Sequence, residues 1–253
     1  MGIDSGNKNF YERPNTVKAY TKQTTIWPEE QLIFEKYETY ILGKAVLDIG
    51  CGGGRTTMAL KALTQDYTGI DYSEKMIEAC QEQFEKLKFV HCDASDMSVF
   101  NDNKYDFVLF SFNGIDCMSH GKRMKTLEEI YRVLKHDGVF AFSTHNLDDR
   151  RHVAAYDIFD IHILRNIRNI CSYLKVRKHQ FRTETYAILS DPLAGFGHLT
   201  YFIRKSDQVK QLKDIGFRDV EILNRKYQFT EIDSLERDSN CFYYICKKRK
   251  LVV

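Results

Sequence analysis

Val46-Leu47-Asp48-Ile49-Gly50-Cys51-Gly52-Gly53-Gly54-Arg55 is the stretch on which the fold turns. A short apolar run from Ala45 to Ile49 ends in a cluster of glycines, and Arg55 to Leu63 then reads as a helix. Glycine has no Cβ, so the turn between strand and helix can be tight and a bound molecule can touch main-chain N–H groups.

The same rhythm repeats downstream. Tyr67-Thr68-Gly69-Ile70 is a strand ending at Asp71, and Ser73 caps a helix with Met76, Ile77, Cys80 and Phe84 on its apolar face. Leu87 to His91 and Tyr105 to Phe110 are a third and a fourth strand; 122–135 is a helix and Gly138 to Ser143 a fifth strand. Strands alternating with helices imply a parallel sheet with right-handed crossovers, buried on both faces. Residues 147–204 break the pattern. A helix over 150–170 is followed by strand-like runs at 181–189 and 197–203 around Asp191-Pro192-Leu193-Ala194-Gly195, which reads as an insertion with a β-hairpin. A helix at 206–215 and strands at 217–223 and 242–246 resume it. Upstream, 15–42 reads as one or two helices broken near Trp27-Pro28, with Pro28 suited to a first helical turn. The expected fold is α/β, Rossmann-like and doubly wound, with a mostly parallel seven-stranded sheet. Its parts are an N-terminal helical segment (1–43), a core (44–146), an α+β insertion after the fifth strand (147–204) and the rest of the core (205–253).

Asp71 closes the second strand, 21 residues after Gly50. A carboxylate there can accept both hydroxyls of a ribose, as dinucleotide and adenosyl sites require. The dinucleotide fingerprint would need a small residue at 55, where Arg55 stands; its bulk disfavours close pyrophosphate contact and a nicotinamide oxidoreductase with it.

LDIGCGGG, GIDYSEKMI, Asp93 after FVHC, and EIYRVLKHDGVFAFS occur in that order. Through them, residues 44–146 resemble a class I S-adenosylmethionine-dependent methyltransferase, of the small-molecule type with an N-terminal lid and a β-hairpin insertion. The resemblance implies S-adenosylmethionine as cofactor and S-adenosylhomocysteine as its product. Gly50, Gly52 and the neighbouring main chain would hold the methionine part, and Cys51 and Arg55 are further cofactor-binding candidates. Asp71 would bind the ribose, with Tyr72 against the adenine, Asp93 accepting from the adenine amino group and Ala94 beside it; Met76 is another cofactor-binding candidate. Asp48 would brace the loop and Ser111 would line the methionine side. Tyr11 and Tyr20, in a segment like the family's lid, would close from above. Plainer readings exist: Asp48 as a turn cap, Asp93 as a solvated loop acid, the tyrosines as helix-packing aromatics.

In open α/β sheets the pocket lies outside the carboxyl ends of the strands. The stretches there are Phe110-Ser111-Phe112-Asn113-Gly114-Ile115-Asp116-Cys117-Met118-Ser119-His120 and Ser143-Thr144-His145-Asn146. Displacement at a sulfonium is helped by alignment in a dry pocket, and an oxygen nucleophile gains from a base. His145 is the leading base candidate, with Asp116 and His120 as rivals; Tyr11, Phe112, Asn113 and Asn146 are candidates for holding the acceptor. Each histidine could equally be structural, and Asn113-Gly114 a simple turn. Asn113-Gly114 is not the Asn/Asp-Pro-Pro-aromatic signature of methyltransferases acting on adenine or glutamine amide nitrogen.

The 253 residues are 43% hydrophobic and 28% charged, with a formal net charge of +2, which by itself points to no nucleic-acid or membrane partner. The apolar stretches are far short of the roughly 20 residues of a membrane span. No apolar leader stands at the N-terminus, and seven cysteines at irregular spacing without a CxxC pair argue against a disulfide framework or a metal site. Reduced thiols and a cytoplasmic location are expected. Arg165, Arg168, Lys175, Arg177, Lys178 and Arg182 lie in an acid-free run, 161–183. Facing the pocket, that run would select an anionic acceptor; otherwise it is a solvated surface or, with Lys247-Lys248-Arg249-Lys250, an RNA contact. The expected function is O- or N-methylation of a small anionic molecule, such as a nucleotide sugar, a phosphosugar, or a capsule or natural-product precursor. A tRNA or rRNA methyltransferase and a non-catalytic cofactor-binding protein are the alternatives; homodimerisation stays open.

Overall fold

The computed structural model describes residues 2–149, 163–190, 198–232, 234 and 239–249. Its centre is a sheet whose strands β1 (Val46–Ile49), β2 (Tyr67–Asp71), β3 (Lys88–His91), β4 (Tyr105–Phe110) and β5 (Leu134–Asn146) run parallel in the order β3-β2-β1-β4-β5. Beyond β5 lie β10 (Cys241–Lys248), antiparallel to it, and then β9 (Phe217–Leu223), antiparallel to β10. These are the seven expected strands.

Side chains alternate between the two faces, as period-2 geometry dictates. Leu47, Val108, Phe110, Phe140, Phe142, Phe242 and Tyr244 pack on one side with Leu127, Ile130 and Val133 of α6 (His120–Val133) and Val209 and Leu212 of α8 (Lys205–Ile215). Val46, Phe107, Leu109, Val139, Ala141, Tyr243 and Ile245 pack on the other with Ile33 and Phe34 of α3 (Pro28–Lys36) and Ile77 and Cys80 of α5 (Glu74–Gln83). Both faces are therefore covered, which is why the strands read as unbroken apolar runs.

Several expectations change in detail. The expected insertion with a β-hairpin is present, and its strands extend the sheet to ten among the described residues. β8 (Leu199–Ile203) runs parallel to the last residues of β5, and β7 (Tyr186–Ser190) and β6 (Phe181–Arg182) follow antiparallel. The single run expected at 181–189 is cut because the Thr183 hydroxyl accepts from the N–H groups of Thr185 and Tyr186, at 3.3 and 3.0 Å, and turns the chain. The helix after the glycines shrinks to α4 (Thr57–Leu60), closed by i→i+3 turns at Ala62 and Leu63. β5 starts directly after α6 at Leu134, four residues earlier than expected. Helix α7 (Ile163–Val176) lies later than the predicted one; that prediction's start and the turn at 191–195 fall outside the described residues. The N-terminal segment begins with α1 (Ile3–Tyr11), whose buried Ile3 and Asn7 share one face, and continues with α2 (Pro14–Thr21).

A buried charge joins the insertion side to the core. Arg123 on α6 is fully buried and donates to Asp116 (2.6 Å), Ile115 O (3.1 Å), Thr144 (3.0 Å) and Gln208 (2.6 Å). Its guanidinium lies over the Tyr201 ring of β8 at 4.5 Å. Arg123→Ala removes the guanidinium that faces the buried Asp116 carboxyl, and is expected to lower the unfolding free energy by about 3–5 kcal/mol, read from the urea midpoint at unchanged slope.

Candidate active site

A cavity of about 440 Å³ opens at the carboxyl ends of β1 to β4. Gly50, Gly52, Asp71, Tyr72, Met76, Asp93, Ala94, Ser111, Phe112, Tyr11 and Tyr20, all singled out from sequence, line it together. Asp4, Lys8, Cys117 and Lys122 line it as well.

The glycine turn is made by backbone that other residues enter only under strain: φ is +63° at Gly50, +54° at Gly52 and +86° at Gly54. Gly53 serves a different need. A Cβ there would lie 2.5 Å from the main chain of Tyr20 and Thr21, so its absence lets the end of α2 rest on the turn. The turn is clamped from below. Asp71 accepts from Gly52 N–H on Oδ2 (3.0 Å) and from Ser73 N–H on Oδ1 (2.9 Å). Burial pushes its pKa up to about 6 against the pull of those two N–H bonds. A carboxylate has about four acceptor sites, so capacity remains for a ligand.

Asp48 braces the turn, accepting from Thr56 (2.6 Å) and Tyr67 (2.9 Å), and burial likewise raises its pKa to about 6. At β3, Asp93 accepts from Ser95 and, at 2.6 Å, from Lys122. Partial burial works to raise its pKa, but these bonds outweigh it and hold the carboxyl below its ordinary value.

Arg55 sits behind the wall and does not line the cavity. Its guanidinium donates two bonds, at 2.5 and 2.6 Å, to Glu30 of α3 and lies against Phe112, 5.0 Å from the ring centre. Glu30 is fully buried and also accepts from Trp27 N–H (2.7 Å), Tyr243 (2.9 Å) and Ser111. Desolvation would raise its pKa; the Arg55 bonds win and hold it low. Cys51 is also buried below the turn, its N–H given to Ile70 O at 3.0 Å.

The proposed bases are placed differently from the cofactor set. Asp116 is fully buried and accepts from Arg123, Thr144, His145 N–H and His145 Nδ1, the last two at 2.7 Å. A carboxylate can only accept, so Nδ1 carries the hydrogen and Nε2 receives Asn113 Nδ2 at 3.2 Å. His120 is held by Tyr201 (2.8 Å) and stacked on Tyr186 at 4.3 Å. Asn146 donates to Ser239 O (3.0 Å) and accepts from Asp148 N–H. None of these residues lines the cavity. Of them, His145, itself held by Asp116, fastens Asn113, which with Phe112 lies in left-handed backbone at φ of +54° and +55°.

Over the opening, α1 and α2 are pinned. Asn7 donates to Cys117 O (3.0 Å) and Leu199 O (2.8 Å), Ser119 N–H donates to Asp4 (2.8 Å), and the rings of Tyr11, Tyr20, Phe112 and Trp27 form a chain of edge and tilted contacts. The described cations of the acid-free run, Lys175, Arg177, Lys178 and Arg182, are exposed and do not line the cavity. Glu30, Lys122 and Arg123 carry no motif; Glu30 alone had a faint signal, an acid three residues past the helix start at Trp27-Pro28.

The cavity suits an adenosyl group on two counts. A Cβ at Gly52 would project beside Tyr20, 3.5 Å from its ring, into the space the turn leaves open. The Tyr72 hydroxyl is buried without a hydrogen-bond partner among the described residues. Residues 46–138 match the family described as a methyltransferase domain. Over 135 residues the chain is 34% identical to a demethylmenaquinone methyltransferase of Staphylococcus aureus strain JH9, a match covering 51% of this chain and 53% of that protein. It thus spans about half the length of the curated relatives it matches. It superposes on the Burkholderia thailandensis 1,6-didemethyltoxoflavin-N1-methyltransferase, solved with 1,6-didemethyltoxoflavin and S-adenosylhomocysteine, with a TM-score of 0.61 at 13% identity, covering 97% of this chain and 88% of that one. A Methanosarcina mazei S-adenosylmethionine-dependent methyltransferase gives 0.58 at 18% identity, covering 89% and 99%. At such identities the likeness to solved structures is one of fold. Residues 46–138 thus match a methyltransferase domain, and the chain shares the fold of solved S-adenosylmethionine-dependent methyltransferases.

Proposed function

We propose that the protein transfers a methyl group from S-adenosylmethionine to a small molecule received between the N-terminal lid (1–43) and the insertion (147–204). The observation that carries this reading is the single cavity wall that unites the glycine turn, Asp71 and Asp93. S-adenosylmethionine, when bound, supplies an electrophilic methyl on a sulfonium. The main chain at Gly50 and Gly52 and the Ser111 side hold the methionine end; Asp71 receives the ribose hydroxyls; Tyr72, Met76, Asp93 and Ala94 surround the adenine. Tyr11, Tyr20 and Phe112 exclude water and present the acceptor, so the protein's contribution is alignment and dryness. Asp116 and His145 act by holding the Phe112–Asn113 loop, which suits an acceptor that arrives neutral or sheds its proton unaided. Lys8 lines the cavity and would meet an anionic group on the acceptor, while Lys122 is held by Asp93. Small acceptors are named for two of the proteins this chain resembles, demethylmenaquinone and 1,6-didemethyltoxoflavin. A cytoplasmic place for this reaction accords with seven cysteines and no paired spacing.

Calorimetry with S-adenosylhomocysteine tests the cofactor half. Asp71→Ala should weaken binding by roughly 10- to 150-fold, the worth of a hydrogen bond to a charged group; unchanged affinity would falsify the ribose assignment. The pH dependence follows from the raised pKa. Asp71 is ionised above about 6 and protonates below it, so affinity should be flat near pH 7.5 and fall by about tenfold per unit well below 6, a dependence absent in Asp71→Asn. The acceptor half is read by labelled-methyl transfer onto fractionated small metabolites and, in parallel, onto RNA. Label in the metabolite fraction is the expected result; label in RNA alone would overturn it.

A further inference from the structure

Helix α7 (Ile163–Val176) leaves apolar side chains in solvent. Ile167, Ile170 and Leu174, three and four residues apart on one face, are 54, 38 and 49% exposed. Phe181 on β6, just past the end of the helix, is 45% exposed. An apolar stripe of this kind marks an interaction surface. Around it stand Lys175, Arg177, Lys178 and Arg182, all exposed and none with an acidic partner among the described residues. No Asp or Glu occurs between 161 and 183.

We infer that α7 and β6 form a peripheral docking face for an anionic lipid bilayer. Aliphatic side chains flanked by lysine and arginine match the two layers of such a surface, acyl chains below and anionic headgroups above. Nucleic acid would use the cations, but only Phe181 on this face offers its bases a ring to stack on, and the three aliphatic side chains offer none. A second copy of the chain would bring like charges face to face. Its β6 part belongs to the strands that continue the sheet past the end of β5, so Phe181 lies at the same end of the sheet as the cavity. Neither the small net charge nor the lack, among the described residues, of a helix able to cross a membrane bears on a local surface of this kind. The expectation of no membrane partner is revised to one of contact without crossing.

The test is co-sedimentation of the full chain with vesicles of phosphatidylcholine, with and without phosphatidylglycerol. Binding to the anionic vesicles alone, weakening with salt, is expected. Ile167→Asp with Leu174→Asp should reduce partitioning at least about tenfold, and each of Lys175→Ala, Arg177→Ala and Lys178→Ala about fivefold. Cys171, exposed on the same helix while the other described cysteines are buried or half-buried, gives a readout free of these substitutions. An environment-sensitive dye on Cys171 should shift to the blue when anionic vesicles are added. The inference is overturned if the intact chain ignores anionic vesicles, or if Ile167→Asp with Leu174→Asp binds them undiminished. Retention of tRNA without vesicle binding, or a dimer in light scattering dissolved by those substitutions without vesicle binding, would also overturn it.

Discussion

The Asp71 carboxylate is tied to the main chain on both oxygens, and that double tie shapes everything above it. One oxygen holds Gly52 N–H at the end of β1; the other holds Ser73 N–H at the start of α5. Two adjacent strands thus end at one buried anion, and the turn from Gly50 to Gly54 has a single course across it. Such a carboxylate is costly to bury, as its raised pKa records. Its remaining acceptor capacity faces a cavity, where a ligand's hydroxyls would stand in for lost water.

A second buried anion, Glu30, does for the far wall what Asp71 does for the floor. It gathers Arg55, Ser111, Tyr243 and the start of α3, so the lid side, the glycine turn, β4 and β10 meet at one side chain. The third, Asp116, collects Arg123, Thr144 and His145 and supports a loop that carries two residues in left-handed backbone. Each anion is compensated by a guanidinium or by main-chain donors, the condition under which a buried charge is tolerated. Site geometry here rests on these three buried carboxylates, with a fourth, Asp48, bracing the glycine turn, while the apolar layers to either side of the sheet supply the bulk of the burial.

Much of this was legible before any coordinates. The alternation of apolar strands and amphipathic helices determined the parallel core, because a doubly covered sheet and a one-sided helix have different periods. The glycine turn, Asp71 and Asp93 were legible because local geometry demands those residue types at those places. Arg55 was misplaced: its proximity in sequence to the turn suggested contact with a ligand, yet Glu30, 25 residues earlier, captures it. His145 and Asp116 were read as rival bases and Asn113 as a residue holding the acceptor; the structure joins them in one network with Arg123, which strand alternation near β5 could not show. Lys122 became visible only once the first turn of α6 was laid beside Asp93 in the loop after β3. Long-range polar pairing leaves no periodic trace, and that is where sequence alone falls silent.

The account stands most directly on where an adenosyl ligand lies. A crystal structure of the protein soaked with S-adenosylhomocysteine should show the ribose hydroxyls within hydrogen-bond distance of Asp71, the adenine between Tyr72 and Asp93, and the amino-acid end over Gly50 and Gly52. Density for the ligand elsewhere, with this cavity closed by Tyr11 and Tyr20 against the turn, would contradict it.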